Sequence, residues 1–311
     1  MTTAYLTHPD SLRHETPNGH PEQIARIEAI TKALSAPDFA TLLRLDAPLA
    51  EDAQLLACHP AAYIERIRKA IPVAGIYQLD ADTHVSNGSF DAASRAAGGA
   101  CYGVDLVMAG TASNAFAAMR PPGHHAETQT PMGFCLFGSV AIAAQHAMDR
   151  YGLSRVAVVD FDVHHGNGTQ DLLWTEERAL FISSHQMPLW PGSGHTDERG
   201  AHGNVMNLPL APGTDGAAFR RIYEDMVLPQ LDRFAPELIL VSAGFDAHRA
   251  DPLAQLDLVE DDFAWVTGAL CDIAARHAEG RLVSCLEGGY DLPALAASVA
   301  AHIRVLMEKG A

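Results

Sequence analysis

Short apolar runs alternate along this chain with longer stretches of helical periodicity. The run 156–160 is apolar up to its final aspartate, which is typical of a strand buried on both faces of a parallel sheet. We predict strands at 4–7, 114–120, 156–160, 179–183, 207–210, 237–242 and 281–286. Helices are predicted at 21–36, 59–70, 89–110, 137–151, 170–175, 217–234, 262–278 and 292–308. This alternation favours an α/β fold in which helices cover both faces of a mostly parallel sheet.

Polar loops follow five of the predicted strands, near residues 120, 160, 183, 243 and 286. The carboxyl ends of parallel strands lie along one edge of a sheet, where open α/β folds bind their ligands. We therefore expect these loops to converge on one site. No linker, repeat or change of composition divides the chain, so we expect one domain over residues 1–311.

The loop after the strand 156–160 carries candidate metal ligands. In an extended chain side chains alternate, so Asp160, Asp162 and His164 share one side. Asp246 follows a later strand and adds another carboxylate. Asp162, His164 and Asp246 would leave a position on a divalent metal open for water, which is the pattern of a catalytic zinc site. Taken singly, such residues are as readily strand caps or turn residues as ligands.

His124 and His125 follow another strand and have no need to bind the metal. Beside a metal-activated water, a tandem histidine can serve as a general base and later as a general acid. Such a histidine needs a partner on its other ring nitrogen, and Asp160 and Asn167 are the nearby candidates. Tyr290 follows the last strand and offers a hydroxyl to a developing oxyanion. Together these residues indicate metal-assisted hydrolysis.

Composition and charge narrow the partners. The net charge of −17 disfavours nucleic acid and anionic membranes as binding partners, because both are negatively charged and bind surfaces rich in lysine and arginine. The same charge suits a cationic or neutral small substrate, or a basic peptide. The five cysteines are scattered and form no Cys-x-x-Cys pair, which indicates a reducing compartment. Neither a signal peptide nor an apolar run of membrane-spanning length is evident, so we expect a cytoplasmic protein.

Five motifs and one loop carry a family resemblance. They are RPPGHHA, GFCLF, VDFDVHHGNGTQ, VSAGFDAHRADPLA, LEGGYD and the loop NGHPE. With them the chain, from about Tyr5 to Met307, resembles the zinc-dependent histone deacetylase family. It is closest in character to the class II and IIb-like branch and its bacterial histone deacetylase-like amidohydrolases. The resemblance implies the arginase–deacetylase fold, a central eight-stranded parallel sheet with helices on both faces.

The resemblance also implies roles for individual residues. The residues that match the zinc ligands are Asp162, His164 and Asp246. His125 matches the general base and acid, with Asn167 as its hydrogen-bond partner. His124 matches the electrostatic partner of that histidine and is supported by Asp160. Tyr290 matches the tyrosine that polarises the substrate carbonyl. A tyrosine at this last position implies turnover, because weakly active relatives carry a histidine there.

The same matching implies a tunnel for the acyl-lysine chain and two potassium sites. The tunnel residues are Gly133, Phe134, Trp190, Leu253 and, at the inner end, Arg26. The residues around the first potassium are Asp160, Asp162, His164, Ser183 and Ser184, several of them through backbone carbonyls. The residues around the second are Leu173, Glu176, Ala179 and Asn204. The expected ions are therefore one catalytic Zn²⁺ and one or two structural K⁺.

We expect an amidohydrolase that removes acetyl or other short acyl groups from lysine-like amines, in an acyl-lysine peptide or a small acylated amine. Acetylpolyamine hydrolysis stays an alternative, although Leu253 stands where such relatives carry an acidic gatekeeper. An arginase-like site would need further metal ligands at Gly166 and His248. A non-catalytic acetyl-lysine-binding module would have lost a ligand, a histidine or the tyrosine, and none is lost. The natural substrate and a homo-oligomeric state are left open.

Overall fold

A parallel eight-stranded sheet lies at the centre of the computed structural model, which describes residues 2–310. The strands are β1 (Thr3–Thr7), β2 (Leu43–Asp46), β3 (Ile76–Gln78), β4 (His84–Ser86), β5 (Asn114–Ala117), β6 (Val156–Asp160), β7 (Ala179–Gln186), β8 (Val205–Leu210), β9 (Leu238–Ala243) and β10 (Leu282–Leu286). The sheet has the order β2-β1-β5-β10-β9-β6-β7-β8, while β3 and β4 form a separate antiparallel hairpin. The predicted fold class is confirmed.

Helices cover both faces of this sheet. They are α1 (Ala25–Ala33), α2 (Asp52–Leu56), α3 (Ala61–Ala70), α4 (Ser89–Met108), α5 (Ser139–Tyr151), α6 (Asn167–Leu173), α7 (Gly216–Ile222), α8 (Leu228–Phe234), α9 (Glu260–His277) and α10 (Leu292–Lys309). Within residues 2–310, no helix combines the length and the apolar character that crossing a membrane requires.

The central strand β6 shows why its sequence is continuously apolar. Ala157 and Val159 belong to the core cluster that includes residues of α1, α9 and α10, whereas Val156 and Val158 belong to the cluster that includes residues of α4 and α5. Because alternate side chains of a strand point to opposite faces, both sets are buried. The polar residues that follow are therefore confined to the carboxyl end of the strand.

Several boundaries differ from the predicted ones. The first helix begins at Ala25 and not at Pro21, because Glu22 is buried and bonded to Arg120 instead of starting a helix. The predicted helix 217–234 contains a π-helical turn at Tyr223–Val227. Pro229 follows this turn, and a proline has no N–H to continue the regular helical pattern. The strands β2, β3 and β4 were not predicted, since they are short and carry no periodic signal.

Candidate active site

The strand ends that carry the predicted chemistry meet at one edge of the sheet. The strands β5, β10, β9, β6 and β7 are consecutive neighbours in the sheet, although they are far apart in the sequence. The carboxyl ends of the first four lead to the tandem histidines, the tyrosine, Asp246 and the segment 160–165, respectively. Ser183 and Ser184 lie within β7, which extends beyond the predicted 179–183 to Gln186, and Ser183 pairs with Asp160 at the end of β6. All of these strands run parallel, so their polar ends lie on the same side of the molecule.

Three side chains form a compact candidate metal centre. His164 Nδ1 lies 3.2 Å from Asp162 Oδ1 and 3.1 Å from Asp246 Oδ2. One ligand atom from each residue lies within 4.8 Å of the others, and all three residues are buried. In residues 2–310 the ion pairs of the two carboxylates involve only histidines. Their buried negative charge therefore favours a bound cation.

Backbone amides hold the two carboxylates in place. Gly288 N–H donates to Asp162 Oδ2 at 2.8 Å, and His164 N–H donates to Asp162 Oδ1 at 2.9 Å. Val163 N–H donates to Asp246 Oδ1 at 2.9 Å. Such bonds orient a carboxylate before a metal binds, so the centre is organised by the fold itself.

The same geometry determines the charge of the centre. Burial by itself would lower the pKa of His164, but its hydrogen bonds to Asp162 and Asp246 outweigh burial and raise that pKa to about 10. Burial by itself would raise the pKa of Asp162, but the positive charges of nearby histidines outweigh it and lower that pKa. A positive charge between these carboxylates is thus strongly favoured, whether it comes from a proton or from a metal.

The first of the tandem histidines is placed between carboxylates. His124 Nδ1 donates to Asp160 Oδ2 at 2.9 Å, and His124 Nε2 lies 3.7 Å from Asp162 Oδ2. Burial would lower the pKa of His124, but the charges of Asp162, Asp160 and Glu287 outweigh burial and raise it well above its ordinary value. This environment favours the protonated form of His124.

The second histidine has the opposite character. Burial and the positive charges of His124 and His164 lower the pKa of His125 well below its ordinary value. Asn167 Oδ1 lies 2.7 Å from His125 Nδ1, and Asn167 Nδ2 donates to Glu127 at 2.9 Å, which fixes the orientation of the amide. His125 Nδ1 is therefore the donor, and Nε2 is the free basic nitrogen.

A cavity of about 230 Å³ leads to these groups. Its lining residues are Asp82, His125, Gly133, Phe134, His164, Leu189, Trp190, Leu253 and Tyr290. The rings of His125 and Trp190 are 4.7 Å apart, and those of Phe134 and Tyr290 are 5.8 Å apart. Four predicted tunnel residues, Gly133, Phe134, Trp190 and Leu253, thus line one cavity together with the predicted catalytic histidine and tyrosine.

The cavity requires a glycine at position 133 of its lining. A Cβ atom at this position would overlap the rings of His125 and Trp190, and the backbone is left-handed with a φ of 57°. Only glycine meets both conditions at no steric cost.

Arg26 lies behind the tyrosine and does not line the cavity. It is buried, its Nε donates to the Gly289 carbonyl at 2.7 Å, and its Nη2 donates to the Glu287 carbonyl. Its guanidinium carbon lies 5.0 Å from the centre of the Tyr290 ring. Burial raises the pKa of Tyr290 well above its ordinary value, so the phenol keeps its proton. Arg26 thus supports the turn that places the tyrosine.

Asp82 and Thr83, which lie just before β4, were not among the predicted site residues. Gly133 N–H donates to Asp82 Oδ1 at 3.2 Å, and Phe134 N–H donates to Thr83 Oγ1 at 3.1 Å. Phe134 has a left-handed backbone with a φ of 70°, which is unfavourable for a residue with a side chain. Asp82 and Thr83 therefore stabilise the aromatic wall. The only sequence signal was the polar character of their loop.

The proposed potassium ligands also come together in two groups. Asp160 pairs with Ser183 across β6 and β7, and Ser184 Oγ lies 3.4 Å from the Asp160 carbonyl, beside Asp162 and His164. In the second group, residue 204 lies against residues 173–179. Asn204 Nδ2 donates to the carbonyls of Leu173 at 2.9 Å and Glu176 at 3.2 Å. Ala179 N–H also donates to the Glu176 carbonyl, at 3.2 Å.

Two relatives of this chain share most of its length. It is 42% identical over 277 residues to a histone deacetylase-like amidohydrolase of Pseudomonas aeruginosa, covering 88% of this chain and 73% of that protein. It is 35% identical over 298 residues to a probable deacetylase of Archaeoglobus fulgidus, covering 94% of this chain and 82% of that protein.

A solved structure and a family model agree with these relatives. The crystal structure of the HDA15 HD domain superposes with a TM-score of 0.93 at 32% identity, covering 99% of this chain and 88% of that one. The histone deacetylase domain model matches residues 20–306. The prediction of a deacetylase-type enzyme is thereby confirmed, and the chain belongs to the histone deacetylase family.

Proposed function

We propose that this protein is a zinc-dependent amidohydrolase that removes acetyl or other short acyl groups from lysine-like amines. One observation carries the proposal: His125, His124 and Tyr290 lie around a three-ligand metal centre at an aromatic-walled cavity. A base, a cation and a hydrogen-bond donor placed around one carbonyl are the groups that amide hydrolysis needs.

Asp162, His164 and Asp246 would hold the zinc ion. Two carboxylates and one imidazole, all buried and oriented by backbone amides, suit a catalytic zinc with an open coordination position. When bound, zinc supplies Lewis acidity, which lowers the pKa of a water molecule and polarises the substrate carbonyl.

The side chains of this protein would manage the protons. His125 Nε2 accepts the proton of the attacking water, since its Nδ1 is occupied by Asn167. The Tyr290 hydroxyl donates a hydrogen bond to the carbonyl oxygen as negative charge develops there. His125 then returns the proton to the leaving nitrogen, and the products are a carboxylate and a free amine. The charge of His124, which is held by Asp160, lowers the pKa of His125, so His125 is free to accept a proton when the water attacks.

The cavity favours an extended, largely apolar chain. Phe134 and Trp190 form its aromatic walls, and Leu253 contributes an apolar side chain where an acidic gatekeeper would favour polyamines. Acyl-lysine peptides and small acyl amides are therefore the first substrates to test, and acetylpolyamines are the alternative. The acidic surface suits a cationic substrate body.

A two-metal, arginase-like reaction is disfavoured by the centre. A side chain at Gly166 would overlap the Asp160 carboxylate, so this position has no room for a further ligand. A non-catalytic binding module is disfavoured because the three ligands, both histidines and the tyrosine are all present in one site.

We further propose one structural potassium ion at Asp160, Asp162, His164, Ser183 and Ser184, where the ends of β6 and β7 bring these residues together. The second set fits an ion less well, because the Asn204 amide already donates to the carbonyls of Leu173 and Glu176. We also propose a single catalytic domain over residues 1–311, because β1 and α10 pack into the same layered core.

The test combines metal analysis with acetate release from an acetyl-lysine peptide. We expect one zinc per chain and turnover that falls by about 10²–10⁴ in His125→Ala and by about 10²–10³ in Tyr290→Phe. His277→Ala and Tyr77→Phe are matched controls away from the cavity, and we expect them to keep the wild-type rate. If zinc-loaded protein hydrolyses neither acetyl-lysine peptides nor acetylated polyamines, or if the two site variants keep full activity, the proposed function is wrong.

A further inference from the structure

Glu287 is a buried acid to which the proposed reaction assigns no role. It follows β10 directly, and only 1% of its surface is exposed. Within residues 2–310 it has no ion pair with a lysine or arginine, since its side chain is bonded to backbone amides and a serine. Burying an unpaired carboxylate is costly, and burial raises the pKa of Glu287 to about 7. A group kept at such a cost is a candidate for function.

The Glu287 carboxylate holds the start of the tandem-histidine segment. Its Oε2 accepts the N–H of Gly123 at 2.7 Å and the N–H of His124 at 3.1 Å. Ser242 Oγ donates to its Oε1 at 3.3 Å. Two consecutive peptide N–H groups thus converge on one oxygen, which comes from a strand end 164 residues away from Gly123 in the sequence.

These two bonds restrict the backbone from which both histidine side chains project. The peptide plane between Gly123 and His124 determines where His124 points, and His124 must reach Asp160 at 2.9 Å. The His125 ring lies 3.9 Å from the His124 ring, so a shift of this segment moves both. Gly123 also packs closely against the backbone near Ser139, since a Cβ at position 123 would overlap it.

We propose that Glu287 is a positioning residue for the tandem histidines, and that it acts through its hydrogen bonds to the Gly123 and His124 amides. This inference rests on the proposed function for its kinetic effect, but the placement of the histidines can be measured without any turnover.

Two substitutions separate the hydrogen bonds from the charge. In Glu287→Gln the amide oxygen still accepts both N–H groups and only the charge is lost. In Glu287→Asp the charge stays, but the side chain is one methylene shorter and withdraws from the amides. If position matters, we expect Glu287→Asp to lower kcat about 10–100-fold with KM nearly unchanged, and Glu287→Gln to stay within about threefold of the wild type.

Asp262→Asn provides the control for a buried acid. Asp262 accepts the Val259 N–H at 3.0 Å and pairs with Arg220 at 2.7 Å, on α9 and away from the histidines. We expect this variant to lower the melting temperature and to leave kcat unchanged.

The readout that needs no activity is the NMR spectrum of ¹⁵N-histidine-labelled, zinc-loaded protein. We expect the Nδ1–H resonances of His124 and His125 to persist in Glu287→Gln and to shift or broaden in Glu287→Asp. This pattern supports the inference even if no acyl amide is hydrolysed, a result that would count only against the proposed function. Equal losses in both variants, a larger loss in Glu287→Gln, or wild-type kcat and spectra in Glu287→Asp would overturn it.

Discussion

Replacing Asn167 by leucine tests the assignment of His125 as the general base. Leucine has the same branching as asparagine, but it cannot accept the hydrogen bond that His125 Nδ1 makes to Asn167 Oδ1 at 2.7 Å. The pair is buried, so water cannot replace the lost acceptor. The Nδ1 proton is then unsatisfied, and the histidine can rotate or change tautomer so that Nε2 no longer accepts the proton of water.

The magnitude follows from this geometry. Leaving one buried donor without a partner costs about 1–3 kcal/mol. Each 1.4 kcal/mol of transition-state stabilisation corresponds to about a tenfold change in rate. We therefore expect kcat for an acetyl-lysine peptide to fall about 5- to 150-fold in Asn167→Leu. KM should change little, because Phe134, Trp190 and Leu253 still line the cavity.

The assay measures acetate release under steady-state conditions, together with zinc content. Asn167→Asp gives up the amide's hydrogen bond to Glu127 but keeps an acceptor for Nδ1, so it should lose less activity than Asn167→Leu. Asn114→Leu is the matched control. Asn114 is also buried, but it lies at the amino end of β5 and donates to the Leu306 carbonyl. If Asn167→Leu keeps the kcat of the wild type, or loses no more than Asn114→Leu does, the assignment of His125 and its partner is refuted.

Three further outcomes are expected. Chelation of zinc should abolish activity and lower the melting temperature, and added zinc should restore both. An unchanged melting temperature on chelation would argue against a metal centre at Asp162 and Asp246. Burial lowers the pKa of His302 from 6.5 to about 3, so the unfolded chain binds its proton first. The contribution of this histidine to the free energy of unfolding is complete above pH 6.5 and falls by up to about 1.4 kcal/mol per pH unit below it. Urea titrations should show a shallower loss in His302→Gln, and an identical pH slope would contradict this. Finally, Asn204→Ala removes one hydrogen-bond donor from each of the Leu173 and Glu176 carbonyls, so KCl should raise the melting temperature of this variant more than that of the wild type. Equal shifts would show that the amide does not compete with the ion.

The order of strands and helices could be predicted because every strand of the central sheet except the short edge strand β2 leaves a local signal. A strand buried on both faces must be continuously apolar, as 156–160 is, and the polar residues that follow mark its end. The hairpin of β3 and β4 was missed because three-residue strands with exposed residues such as Tyr77 have no periodic pattern. The first helix was extended too far because the buried pairing of Glu22 with Arg120 is not visible in local sequence.

The functional side chains also divide into those that local sequence predicts and those that it does not. Asp162, His164 and Asp246 were predictable, because metal ligands occur in short motifs at strand ends and few other residue types can replace them. Asp82, Thr83 and Glu287, which accept backbone N–H groups of the site, were not predicted, because acceptors of several types can satisfy a backbone amide. Thr83 stabilises Phe134 from 51 residues away, and no spacing rule connects the two.

By itself, then, the sequence determined the fold class, the family resemblance and the residue types of the candidate centre, since these depend on local periodicity and on motifs. Only the tertiary structure decided that the pKa values of His124 and His125 shift in opposite directions, because those shifts depend on which carboxylates and cations surround each ring. It also decided that Glu287 bonds to the histidine segment and that Arg26 is buried behind Tyr290. Electrostatic energy and hydrogen bonding depend on distances in space, and separations of 164 and 263 residues along the chain carry no information about them.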